Sequence, residues 1–269
     1  MLPLSQRAFE GIAALMHETC GLWFSESKKP LVSSRLSMRI QKLGLESFDQ
    51  YLELIAGDDD QGEFQNAVDL LTTNETYFFR EPEHFSLLER ELASLHQPRV
   101  SVWSAACSFG DEVYSAAMIM ADLQQSGRLK EDWSVLGTDI SDRVLRAAKS
   151  GIFPQQRLQH VTHERLKRYC LRGEDESNGL VQIQPRLRER TRFGRLNLTR
   201  PIEELGPFDV VFLRNVLIYF NGQMKVEVVD RVLSQLRPNG LFFIGTAEGR
   251  VDCRTRLELV GPGAFRKLG

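Results

Sequence analysis

Three short segments hold side chains whose types and spacing could do chemistry on a small ligand. Phe208 to Phe220, FDVVFLRNVLIYF, is an apolar run that breaks at Arg214-Asn215 and then turns hydrophobic again. Continuous Val, Phe and Leu without polar alternation predict a strand buried on both faces, of the parallel kind. A guanidinium and an amide at its carboxyl end stand where open α/β sheets bind ligands. The second segment, SAACSFGDE from Ser104 to Glu112, follows the apolar run VSVW, and its small residues let main chain approach a ligand at a helix start. It is not a GxGxxG fingerprint, and its acidic pair would repel a pyrophosphate. Glu112 could favour a cation, while Asp111 could equally cap the helix. The third is Asp139, at the end of WSVLGTD. A carboxylate there can accept two hydrogen bonds from a ribose diol. Alternatively Asp139 or Ser141 caps the next helix, a task Ser141 can perform alone.

These features suit a nucleoside with a positive centre and no phosphate. S-adenosylmethionine answers that description, with its sulfonium, amino group and ribose. A nicotinamide dinucleotide is the next reading, disfavoured by the glycine-poor, acidic loop.

Such side chains need a sheet to position them. After about Leu71 strand-like and helix-like segments alternate: VSVW from Val100, a helix from about Glu112, WSVLGTD from Trp133, a helix from Ser141, FDVVFL from Phe208, a helix from about Gln223, and GLFFIGT from Gly240. That order predicts right-handed βαβ crossovers and a mostly parallel sheet, with Pro238-Asn239-Gly240 as a turn into the last strand. Before it, apolar residues recur at helical spacing, as in Phe9, Ile12, Ala13 and Met16, which predicts a small helical domain.

Composition narrows the function classes. With 269 residues, 42% hydrophobic and 26% charged, the chain can bury a full core in one α/β domain and a smaller one. No apolar run approaches the ~20 residues that span a bilayer, so a cytoplasmic location without membrane insertion is expected. The four cysteines, Cys20, Cys107, Cys170 and Cys253, lie far apart and form no CxxC or Cys/His cluster, so neither a metal site nor a disulfide framework is expected. A formal charge of −2 argues against a nucleic-acid partner.

LTTNETYFFRE from Leu71 to Glu81, VWSAACSFGDEVYS, GTDIS, LNL and FLRNVLIYF occur in register along the chain. Together they closely resemble the chemoreceptor glutamate methyltransferases of the CheR type, over essentially the whole length. The resemblance implies a helical domain over 1–72 and a doubly wound, Rossmann-like S-adenosylmethionine domain over 73–269. It also implies a small antiparallel β-subdomain at about 155–196. Members transfer a methyl group to glutamate side chains of a receptor's cytoplasmic helical domain, leaving S-adenosylhomocysteine. Carried over by position, Asn74, Thr76, Arg80, Glu112, Asp139, Asn197, Leu198, Arg214 and Asn215 are implied to face the cofactor. Asn197 offers an amide for adenine and Leu198 an apolar wall. Arg80 is the candidate for orienting the substrate carboxylate, and Tyr219 for contacting the reacting methyl or oxygen. Phe78 and Phe79 are read as core, and Tyr219 has core packing as its alternative. A monomer is expected, and the second functional reading is a receptor-associated S-adenosylmethionine-binding module with little turnover.

Two basic features bear on the substrate. Lys28 to Lys42 holds five basic residues and no acidic one, and on a helix Arg35, Arg39 and Lys42 share a face beside Leu36, Ile40 and Leu43. That face is expected to meet an acidic helical substrate, or to be merely solvated. In PRLRERTRFGR, Pro185 to Arg195, a strand would put Arg186, Arg188, Arg190 and Arg192 on one side. In some family members the β-subdomain adds a strand to bind a receptor C-terminal tail peptide. Glu174-Asp175-Glu176 lacks the glycine pattern of such members, which leaves that partner open. The chain also reads GDEVYS where GEEPYS is usual and GTAEG where a GHSE-like segment is usual, consistent with a branch serving another chemosensory-like pathway.

Overall fold

The computed structural model describes residues 2–57, 62–94, 97–130, 132–249 and 252–269. Four helices come first: α1 (Gln6–Cys20), α2 (Lys29–Lys42), α3 (Phe48–Ala56) and α4 (Glu63–Leu71). Their starts follow local chemistry. The Ser5 and Ser47 hydroxyls accept the main-chain N–H groups of Ala8 and Gln50, and Pro30 sits in the first turn of α2. Gly21 ends α1 at φ 70°, a left-handed cap that L side chains resist. Phe9, Ile12, Met16, Val32, Leu36, Ile40, Phe48, Tyr51 and Leu71 close one core.

The remainder runs α5 (Pro82–Ser94), β1 (Arg99–Ser104), α6 (Asp111–Gln125), β2 (Asp132–Asp139), α7 (Asp142–Ser150), β3 (Ile152–Pro154), α8 (His163–Tyr169), β4 (Cys170–Arg172), β5 (Leu180–Ile183), α9 (Pro185–Arg188), β6 (Thr191–Arg195), β7 (Phe208–Leu213), α10 (Gly222–Ser234), β8 (Leu236–Ile244), β9 (Leu257–Gly261) and β10 (Ala264–Lys267). The seven-stranded sheet has the order β6-β2-β1-β7-β8-β10-β9. Its first five strands pair parallel, and the last two are antiparallel additions. The chain turns from one side of the sheet to the other between β1 and β7, and the carboxyl ends of these strands flank the switch point. Every residue of β7 is buried. Val210 and Phe212 pack into the core on one face, Val211 and Leu213 into the core on the other, which is why the strand reads as an unbroken apolar run.

Three expectations need correcting. The antiparallel subdomain is the three-stranded sheet β3-β5-β4, spanning 152 to 183, whereas Thr191–Arg195 pairs parallel with β2 in the main sheet. PRLRER is not a strand: Pro185 opens the short helix α9, Leu187 is buried, and Arg186 and Arg188 bond different carbonyls, those of Arg168 and Lys149. Proline's fixed φ suits a first helical turn better than a ladder position. Pro238-Asn239-Gly240 lies inside β8, where Asn239 takes φ 63° and the pairing with β7 shifts register.

Candidate active site

Above the carboxyl ends of β1, β2 and β7 lies a cavity of about 1330 Å³, its open mouth included. Asn74, Thr76, Arg80, Glu112, Asp139, Asn197, Leu198, Arg214, Asn215 and Tyr219 all line it. The helical domain supplies another wall, with Cys20, Leu22, Trp23, Phe24, Lys28 and Leu31. That wall had no signal in the motifs.

Asp139, at the tip of β2, accepts the Ser108 N–H at 2.8 Å and the Ser141 N–H at 3.0 Å. Ser141 meanwhile caps α7 through its hydroxyl, the task the sequence allowed it to perform alone. Ser108 stands at φ 51°, a strained conformation for a side-chain-bearing residue, and its hydroxyl donates to the Asn74 carbonyl at 3.1 Å. Asp139 therefore fixes the β1–α6 loop, and the loop fixes the 74–80 segment. Burial pushes the Asp139 carboxyl above the ordinary range, against the pull of the Ser141, Ser108 and Ile140 N–H groups. A carboxylate offers about four lone-pair positions, so acceptor capacity remains for a diol at the cavity wall.

Gly110, at φ 90°, is the N-cap of α6, which answers the question of Asp111. Asp111 is fully buried and meets the Arg157 guanidinium at 2.5 Å, while its second oxygen has no partner. Burial outweighs the attraction of Arg157 and raises its pKa to about 6. Glu112 accepts the Ser104 hydroxyl and the Arg214 guanidinium, both at 2.7 Å. Arg214 also meets Glu81 at 3.3 Å and donates to the Arg80 carbonyl at 2.6 Å. Its side chain is only 2% exposed, so this arginine braces the site and its charge is spent inside the protein.

Other side chains are engaged in ways their motifs did not reveal. The Asn197 amide donates to the Thr19 carbonyl at 2.6 Å and accepts from Thr199, so it ties α1 to the sheet domain while its second amide N–H stays uncommitted. Leu198 is buried and supplies the apolar wall. Phe78 and Phe79 are buried in the core. Asn215 adopts φ 59°, with its N–H held by Glu248 at 2.8 Å; the same carboxylate accepts the N–H groups of Gly245 and Leu217, each at 2.7 Å. Glu248 thus shapes the loop after β7, a role signalled only by its place three residues after Gly245.

Tyr219 is half-buried against the helical domain, and its hydroxyl reaches the Thr73 carbonyl at 3.4 Å. Burial raises its pKa, so the phenol stays protonated at neutral pH. Arg80 donates to the Glu75 carbonyl at 2.9 Å and keeps its other N–H groups available. The three residues assigned to receptor contact lie outside the cavity. Arg35 donates to the carbonyls of Leu71 and Thr72 at 2.8 and 3.1 Å and to the Thr73 hydroxyl at 2.9 Å. Arg39 forms an ion pair with buried Glu63, which also accepts the Tyr51 hydroxyl. Lys42 is exposed. The stripe is real in sequence, yet two of its three cations are spent on the fold. Among the described residues no cluster of His, Cys, Asp and Glu could hold a metal, and no helix is long and apolar enough to cross a membrane.

Two family models match in tandem: the CheR methyltransferase all-alpha domain over residues 7–72, and the CheR methyltransferase SAM binding domain over residues 74–261. The chain belongs to the CheR methyltransferase family. It is 38% identical to the chemotaxis protein methyltransferase of Escherichia coli K12 over 265 residues, covering 98% of this chain and 92% of that protein. Chemotaxis protein methyltransferase 2 of Pseudomonas aeruginosa is 35% identical over 261 residues, covering 96% of this chain and 91% of the other. S-adenosylmethionine is accordingly the cofactor of this chain, and the cavity lies within the stretch that the SAM binding domain model matches together with the adjoining helical wall. Asp139 with spare acceptor positions, the small Ala105-Ala106-Cys107 loop and the apolar Leu198 fit a nucleoside with no phosphate.

Proposed function

We propose that the chain transfers the methyl group of S-adenosylmethionine to glutamate side chains on the cytoplasmic helical domain of a chemoreceptor, forming methyl esters, and that it acts in the cytoplasm. The observation that carries this reading is the meeting of Arg80 and Tyr219 on one cavity with the acceptor Asp139, in a chain of this family. S-adenosylmethionine supplies an electrophilic methyl group on a sulfonium. A substrate glutamate, with an ordinary pKa near 4.3, arrives ionised and needs no base. The protein's work is alignment and partial removal of water. Arg80 lies on the cavity with unspent N–H groups that can turn a carboxylate oxygen inward. Tyr219, a neutral donor at neutral pH, can hydrogen-bond the same carboxylate without taking its charge. Arg214 is no second clamp, because Glu112 and Glu81 already neutralise it.

The outer strand β4 leaves an edge on the small sheet where a receptor tail peptide could add, an interaction the transfer itself does not require. The test is methyl transfer from labelled S-adenosylmethionine to a purified chemoreceptor cytoplasmic fragment from the organism that encodes the chain. Label released as methanol by alkali is expected. Cofactor binding without alkali-labile label on receptor overturns the proposal.

A further inference from the structure

Residues Leu217–Tyr219 form a single 3-10 turn directly after the Arg214-Asn215 corner. Three residues per turn send successive side chains about 120° apart. Leu217 enters the core, Tyr219 lines the cavity, and Ile218 is left 57% exposed. The Tyr219 carbonyl accepts the N–H of Trp23 at 3.1 Å, which brings the α1–α2 connection alongside this turn. Trp23 lines the cavity and is nevertheless 59% exposed, its ring set edge-on to His17 at 5.7 Å. Two large apolar side chains, one from each domain, therefore flank Tyr219 at the mouth. The fold buries neither, and Ile218 does not line the cavity.

We propose that Trp23 and Ile218 form a shelf that receives an apolar residue of the substrate helix, one turn away from the glutamate being methylated. This rests on the reading that the substrate is a receptor helix. Any protein that delivers a side chain past the rim to Tyr219 must lie across that rim, so the shelf is continuous with the path of the substrate. Residues three or four apart on a helix stand about 5–6 Å from one another, so a glutamate entering the cavity has an apolar neighbour poised over the shelf. Charge on the rim matches an acidic helix in part: Lys28 and Arg80 face the mouth, against one exposed acid, Glu75. The preferred substrate is thus a helix that is acidic and amphipathic together, with an apolar residue at i±3 or i±4 from the target. A merely acidic helix lacks the group the shelf binds.

The experiment measures kcat and KM on the receptor fragment, and S-adenosylhomocysteine affinity by calorimetry, for wild type, Trp23→Ala, Trp23→Phe and Ile218→Ser. An interface tryptophan commonly accounts for more than a tenfold change in affinity, so Trp23→Ala should raise KM roughly tenfold. Trp23→Phe should recover most of the loss, and in Ile218→Ser, which does not line the cavity, cofactor affinity should stay within about twofold. Ile218→Ser should raise KM by several-fold. Replacing the apolar neighbour of one target glutamate by serine should mimic Trp23→Ala at that site and add little to it. An unchanged KM in Trp23→Ala overturns the shelf, and so does a cofactor affinity that falls as far as kcat/KM, which makes Trp23 a cofactor wall. If wild type leaves no alkali-labile methyl on the fragment, the substrate reading itself fails and the shelf with it.

Discussion

Replacing Arg35 by alanine separates two roles for helix α2. From its place in a basic stripe Arg35 belongs on the receptor-facing surface, yet its guanidinium makes three hydrogen bonds to Leu71, Thr72 and Thr73, at 2.8, 3.1 and 2.9 Å. These hold the strap that leads into Asn74, Thr76 and Arg80, and Thr73 also takes the Tyr219 hydroxyl through its carbonyl. A hydrogen bond from a charged donor contributes about 1.5–3 kcal/mol when shielded. Arg35 is only partly buried and water can replace some of these bonds, so a net loss of about 2 kcal/mol is the reasonable scale. If the strap must be in place to hold the cofactor, that loss appears as a roughly tenfold to thirtyfold weaker affinity. Calorimetric titration with S-adenosylhomocysteine measures it directly, and Arg35→Lys, which can reach one acceptor at a time, should recover part of it. The reasoning is refuted if Arg35→Ala leaves cofactor affinity within about twofold of wild type while KM for the receptor rises.

Asp139→Ala removes the acceptor proposed for the ribose and the Ser108 N–H contact, so S-adenosylhomocysteine should bind about a hundredfold more weakly; unchanged affinity in the same titration would remove the role assigned to Asp139. Arg214→Met strands Glu112 and Glu81 without their cation and should cost about 3–5 kcal/mol in urea unfolding, with Glu112→Gln added to it recovering part; a loss under about 1 kcal/mol contradicts the brace. Asp111 carries a sign that can be checked. Its folded pKa, about 6, lies above the ordinary carboxylate value, so between about pH 4 and 6 the folded state binds more protons than the unfolded one. Wild-type stability should therefore fall relative to Asp111→Asn as pH rises through that window, by up to about 3 kcal/mol, and a difference that is the same at both ends of the window rules this out.

The strands of the sheet were legible because burial on two faces demands continuous apolar residues, and β7 is the clearest case. Its polar end was legible too, since a guanidinium after such a run needs an unusual reason. What that reason is cannot be read locally. Arg214 is braced by Glu112, 102 residues earlier in the chain, and Arg39 by Glu63, 24 residues later. A charged side chain in a motif therefore has two fates, ligand or structural counter-ion, and only the tertiary partner decides. The arginines of PRLRER illustrate a different limit: spacing of two suggests a strand, but Pro185 and buried Leu187 make a helical turn. Glu248 was hidden for a third reason, because a carboxylate that binds main-chain N–H groups leaves no pattern beyond its own position.

The cavity is lined by both domains, and this changes what the helical domain is for. Asn197 reaches the Thr19 carbonyl, Tyr219 meets Trp23 and Thr73, and Arg35 holds the strap between domains. Cys20 to Phe24 close one wall of the cavity directly, and burial drives the Cys20 thiol up to about 12, which keeps it unreactive beside a methyl donor. A helix bundle whose only task was to touch a receptor would have no need of these bonds. On the proposed function, a receptor helix docked on α2 or on Trp23 would act on the 73–80 strap and Tyr219 through hydrogen bonds already in place. Substitutions that break these hydrogen bonds, such as Arg35→Ala, should therefore be read first in cofactor affinity and only then in receptor KM.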